Sequence, residues 1–203
     1  SPGASWSMGL LNAAEWKAKW IGAFTDRYPD SAITHPAPFF RKDFRVSKKV
    51  KQATVYVSGL GFYELFINGK KIGDQLLAPA VSNYDKRPLK NLLYPYDDQS
   101  LQRVYYNTFD VTGNIGSDNN AIGIVLGNGW YNQRDRTVEG KMWYDVPKLI
   151  FQMEITYTDG TSMLIVSDNR WKTIQGPILH DGIFTGEHYD ARAELGDWNR
   201  AAY

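Results

Sequence analysis

The chain has no cysteine and only 3 histidines among its 203 residues. Disulfides and thiolate metal sites are therefore excluded, and the redox compartment stays open. Charge of one sign is also missing. With 23 basic and 22 acidic residues the net charge is +1, which gives no electrostatic case for nucleic acid or an anionic membrane. No run of about 20 apolar residues exists, so no segment is long and apolar enough to cross a membrane as a helix. No leader segment is recognisable, and that places the protein in no compartment. Nucleotide-type phosphate loops are absent: Gly127-Asn128-Gly129 leads into no helix and has no following lysine. His35, His180 and His188 have no credible serine or cysteine partner for nucleophilic catalysis, and three scattered histidines are a weak zinc set.

Aromatic residues are plentiful instead, with 7 Trp, 13 Tyr and 9 Phe. The central stretch is Ala121 to Tyr131. Its first half, to Leu126, is apolar and β-branched and reads as a buried strand. Gly127-Asn128-Gly129 then permits a sharp change of direction, and Trp130-Tyr131 follow at the strand's edge. Three readings of those rings stay open: they close the core, stack on a sugar, or meet a neighbouring domain.

Strand patterns recur along the chain at Phe39–Val46, Gln52–Ser58, Phe62–Ile67, Lys70–Gly73, Val104–Val111, Leu149–Tyr157, Ser162–Ser167, Trp171–Ile174 and Pro177–Leu179, and Gly186–Arg192 looks extended. Gly59 and Gly61 are expected to break the second run. Asn68-Gly69 and Asp159-Gly160 each sit between two runs and predict tight hairpins. Asn12 and Glu15 have capping-box spacing, which predicts a helical turn over Ala13–Lys19. About ten strands, no βαβ pattern and no repeat predict an all-β fold, an antiparallel sandwich of jelly-roll type. Residues 1–22, with Trp6, Trp16 and Trp20, read as a junction lying against another domain, residues 23–195 as the sandwich, and residues 196–203 as the start of a linker.

Two long irregular stretches are candidate binding loops, Val81–Leu101 and Asn132–Pro147. With the central motif they supply the candidate sugar contacts. Trp130, Tyr131 and Trp143 would stack on ring CH faces, and Asn83, Asn128, Asp135 and Arg136 would meet hydroxyls, with Tyr84 beside them. Glycoside hydrolysis needs two carboxylates across one bond. Glu187 and Asp190 lie three apart in an extended segment and face opposite sides, so a structural ion pair with Arg192 is the plainer reading. They are also the weak metal candidates, calcium being the cation that carboxylate and backbone oxygens would take.

The ordered motifs resemble a known family. Trp6-Ser-Met-Gly-Leu-Leu11 with Trp16 and Trp20-Ile21 is similar to the junction before the N-terminal sandwich domain of bacterial α-L-rhamnosidases. Gly59-Leu-Gly61-Phe-Tyr63, Phe66-Ile-Asn68-Gly69-Lys70, Ala78-Pro79, Tyr84, Asp110-Val-Thr112, Asn120-Ala-Ile-Gly123, Leu126-Gly-Asn-Gly-Trp-Tyr131 and Gly186-Glu187 with Tyr189-Asp190-Ala191-Arg192 resemble that domain's successive signatures. Thr185 departs from the pattern, where an aspartate is commoner. The resemblance implies an accessory domain of an inverting glycoside hydrolase whose acid and base lie in an (α/α)₆ barrel further along. It transfers no catalytic residue to this sequence. Flanking domains are the implied partners, rhamnose-containing glycans the implied ligands, and a periplasmic or secreted location is expected. The rival reading is a purely structural spacer between domains.

Overall fold

The structure is a computed structural model, and it describes residues 8–24, 35–84, 103–133, 144–201 and 203. Trp6, Asp135, Arg136 and Trp143 lie outside the described residues, as does most of the first long loop.

The described residues form eleven strands, all paired antiparallel. One sheet has the order β4 (Lys70–Lys71), β3 (Phe62–Ile67), β6 (Asn119–Gly127), β1 (Pro38–Arg45), β9 (Lys172–Gln175). The other has the order β5 (Asn107–Asp110), β2 (Val50–Leu60), β7 (Lys148–Tyr157), β8 (Ser162–Val166). A two-stranded hairpin, β10 (Ile178–Gly182) and β11 (Gly186–Tyr189), stands apart from both. The expected antiparallel sandwich is thus present.

Period-two alternation builds the core. Tyr63, Leu65 and Ile67 of β3, Ile122, Ile124 and Leu126 of β6, and Phe40 of β1 pack against Ala53, Val55 and Val57 of β2 and Leu149, Phe151, Met153 and Ile155 of β7. Burying side chains of this size stabilises by about 1.5–3 kcal/mol each before the entropy cost of ordering them. Asn68 and Gly69 have φ of 52° and 82°, the pair of positive values that a tight hairpin of this kind needs. Gly160 at φ 84° turns β7 into β8.

Several local expectations change. The helical turn shrinks to a 3-10 turn at Ala13–Glu15, although the Asn12 amide does donate to Glu15 Oε2 at 2.6 Å. From Trp16 onward the backbone is extended, because its amides find partners on β7 and beside it. Lys17 N–H donates to Gln152 Oε1 at 2.8 Å, Lys19 N–H to Ser167 O at 2.9 Å, and Ile21 bridges Leu149. Residues 15–17 therefore lie over the outer face of the four-stranded sheet at Gln152 and Tyr106, and Ile21 pairs with the edge of β7 in line with β8. Gly59 does not break β2, which runs on to Leu60. The missing side chain there admits Leu126, whose Cδ1 would be 3.0 Å from a Cβ. Val104–Val111 contracts to β5. Beyond β4, Leu77 has φ 54° and the Ala78-Pro79 bond is cis.

Candidate functional site

Alternation leaves a second set of side chains on the outer face of the five-stranded sheet. Phe62, Glu64 and Phe66 of β3 point there, opposite Gly127, Val125 and Gly123 of β6, with Phe39 of β1 beyond Val125. Two glycines shape what covers this face. A Cβ at Gly123 would lie 2.7 Å from the Trp198 ring and 2.7 Å from Asn199 Cβ, so the bare backbone is the seat of the C-terminal segment. Trp198 packs edge-on to Phe39 at 4.8 Å and to Phe66 at 6.0 Å. Its carbonyl accepts from the Arg41 guanidinium, which also pairs with Asp43. A Cβ at Gly127 would meet Asp181 Oδ1 at 2.9 Å, so the second glycine lets the β10–β11 hairpin approach.

Asn128 fastens that hairpin. Its backbone N–H donates to Asp181 Oδ1 at 2.7 Å, and its Nδ2 donates to Asp181 O at 2.9 Å and Oδ2 at 3.1 Å. Its Oδ1 accepts from Asn132 at 2.8 Å.

Between hairpin, sheet and C-terminal segment lies a groove of about 570 Å³. That is within the range of small-molecule sites, roughly 300–1,000 Å³. Rings of Phe39, Phe62, Phe66, Tyr189 and Trp198 line it, with Leu77 at the rim. Four carboxylates face it as well: Glu64, Asp181, Glu187 and Glu194. Asp181 and Glu187 are register partners across β10–β11 and therefore share one side of the hairpin. Glu64 pairs with Lys71, and Tyr189 Oη donates to Glu194 Oε1 at 3.0 Å, a bond that keeps the phenol protonated to higher pH than usual. The groove thus combines flat apolar surfaces with oriented acceptors.

Residues 48–203 match the model of the alpha-L-rhamnosidase N-terminal domain family. The chain belongs to this family. An alpha-L-rhamnosidase of Formosa agariphila is 37% identical over 97% of the chain, which spans 21% of that relative's length. Among solved structures, the alpha-L-rhamnosidase from Dictyoglumus thermophilum is 40% identical over 96% of the chain and 21% of its own, with a TM-score of 0.77. That from Aspergillus terreus is 33% identical over 96% and 21%, with a TM-score of 0.80. The chain therefore spans about a fifth of the length of these relatives.

Within this rhamnosidase N-terminal domain, the described residues among the candidate sugar contacts lie outside this groove. Tyr131 is 8% exposed and packs with Tyr84 at 5.0 Å and Tyr144 at 5.7 Å, a ring cluster at the end of the sandwich. Asn83 O accepts from Arg103 N–H beside it. Trp130 stands separately, edge-on to Phe184 of the hairpin turn at 5.7 Å. Asn128 has its amide committed to Asp181 and Asn132. None of these five is among the described residues lining the groove.

Asp190 accepts from Arg192 Nε and Nη2, both at 2.8 Å, and that guanidinium holds its carboxyl below the usual range. Glu187 turns instead to the groove, so the two carboxylates are separated. Among the described residues no three His, Asp or Glu side chains cluster as metal ligands. The groove residues themselves carried a readable sign. Phe62, Glu64 and Phe66 occupy one face of an alternating run, and an outward Phe-Glu-Phe row is unusual for a solvated sheet face. Trp198 carried no comparable sign, since nothing in its own segment shows that it folds back onto Gly123.

Proposed function

We propose that this chain is a non-catalytic sandwich domain of a longer α-L-rhamnosidase-type glycoside hydrolase, that it braces the catalytic unit, and that its groove holds rhamnose-bearing glycans. The observation that carries the glycan reading is the pairing of five rings with four carboxylates in one groove of about 570 Å³. Sugar CH faces and the methyl group of a 6-deoxyhexose lie against rings, while hydroxyls donate to carboxylates in charge-assisted hydrogen bonds. Non-catalysis is favoured because three of the four carboxylates already have structural partners: Glu64 with Lys71, Asp181 with Asn128, Glu194 with Tyr189. An acid and base pair would have to be drawn from groups already in use.

Titrating isotopically labelled protein with L-rhamnose and with a rhamnose-terminated oligosaccharide tests the reading. Amide shifts should concentrate at Phe62, Phe66, Glu187 and Tyr189, with dissociation constants near millimolar, about −4 kcal/mol. No shift at millimolar sugar rejects glycan binding. Repeating the titration with calcium and with a chelator reads whether a cation takes part. Turnover of an aryl α-L-rhamnoside by this chain would reject the non-catalytic reading.

A specific observation favours the spacer reading as a rival. The outer face of the four-stranded sheet carries a hollow of about 330 Å³ lined by Trp16, Trp20, Val104, Tyr106 and Ile150. Trp20 is 41% exposed there, and Leu11 and Tyr105 are exposed as well. Interface cores are enriched in such rings. Without sugar shifts, this face becomes the main functional surface.

A further inference from the structure

We infer that the groove selects neutral glycans and rejects those bearing uronate or sulfate groups close to the bound sugar; this rests on the glycan reading of the same groove. Its described lining residues include four carboxylates and no lysine, arginine or histidine. Two cations of the same sheet face are already paired. The Lys71 ammonium pairs with Glu64, and the Arg41 guanidinium lies beneath Trp198, paired with Asp43. Anything seated in a groove of this volume lies within a Debye length of its walls, about 8 Å at physiological salt, so screening there is incomplete.

Hydroxyls and a sugar carboxylate therefore fare differently. A hydroxyl can donate to Glu187 or Asp181 and gain a charge-assisted bond. A uronate carboxylate or a sulfate only accepts. It would surrender hydration, would find no cation among the described lining residues to receive it, and would face the Asp181–Glu187 pair at close range. An anionic-sugar site is built the other way, with arginine forks or lysine on its walls.

The test compares two oligosaccharides of equal length with the same terminal neutral deoxyhexose, one carrying a uronate on the adjoining residue. Calorimetry is run at low salt (about 0.02 M) and high salt (about 0.5 M), where the Debye length differs several-fold. The neutral ligand should bind at least ~10-fold more tightly at low salt, equivalent to about 1.4 kcal/mol, and the gap should narrow at high salt. Glu187→Gln keeps the side chain's size and should narrow the low-salt gap by improving the acidic ligand. An unchanged melting curve shows that the variant folds. Equal or tighter binding of the acidic ligand at low salt overturns the selectivity while leaving the glycan reading standing. Failure of both ligands to bind overturns the glycan reading and the selectivity with it.

Discussion

Gly123→Ala should destabilise the domain because Trp198 and Asn199 sit on it. The added Cβ would lie 2.7–2.8 Å from atoms of the Trp198 ring and 2.7 Å from Asn199 Cβ, contacts that real side chains essentially never make. Forcing one extra carbon into a closed packing costs roughly 1–3 kcal/mol. Alanine in a strand recovers part of this, roughly 0.5–1 kcal/mol relative to glycine. The net expectation is a loss of about 1–2 kcal/mol, or a melting shift of about 2–8 °C for a chain of this size. Trp198→Ala removes the ring, its two edge contacts with Phe39 and Phe66, and most of the cover that leaves Trp198 only 9% exposed. That change should cost about 3 kcal/mol, at the lower end for a buried aromatic because the site is at the edge of the fold. In the Trp198→Ala background, Gly123→Ala should cost less, because of the three nearest atoms only Asn199 Cβ still stands in the way of the added carbon. The double variant should then be about 1 kcal/mol more stable than the sum of the singles. Urea unfolding followed by far-ultraviolet circular dichroism measures all four proteins, and comparable slopes validate the comparison. Additivity within about 0.5 kcal/mol would refute the seating of Trp198 on Gly123, and with it this wall of the groove.

Asn128→Ala should cost about 2–3 kcal/mol, since Asp181 loses two side-chain donors in a half-buried site. Hydrogen exchange should then accelerate in β10–β11 before it does in either sheet; uniform acceleration would contradict the clamp. Stability should fall as pH drops below about 4. Lys48 and Thr161 hold Asp159, and Arg170 holds Asp168, below the ordinary carboxylate value, so the unfolded chain takes up protons first. Asp159→Asn should make that acid loss shallower, and an unchanged acid limb in urea midpoints would reject the pairing. At the other end, burial pushes Tyr131 up to about 12, with Asp145 and Tyr84 adding to it. A raised phenol supports the fold below the ordinary tyrosine value near 10, and that support disappears as pH rises through about 12. Tyr131→Phe should soften the alkaline loss, read by ultraviolet phenolate absorbance alongside unfolding.

How much of this was legible can be judged strand by strand. Phe62–Ile67 and Leu149–Tyr157 were readable because alternation and β-branching are local properties of the chain. Both hairpin turns were readable because positive φ is cheap only at glycine and tolerable at asparagine. The central strand was readable as well, but the partner of its trailing Asn128 was not. A polar side chain at a strand's end looks the same whether it meets a ligand or a neighbouring backbone, and here it meets Asp181, 53 residues away. The extent of β2 past Gly59 depended on Leu126, again distant in sequence. Around Trp16 and Trp20 the sequence did not show that the backbone amides are satisfied by Gln152, Ser167 and Leu149, all more than a hundred residues away.

Sequence by itself therefore determined the all-β class, the two tight hairpins, most strand positions and the inward set of core residues, because each depends on propensities and periodicities a few residues long. Tertiary structure alone decided that β10–β11 folds over the outer sheet, that Trp198 returns to Gly123, and that rings and carboxylates from four separate stretches meet in one groove. Those are contacts between residues far apart in the chain, and their free energy comes from mutual shape, which no single stretch encodes.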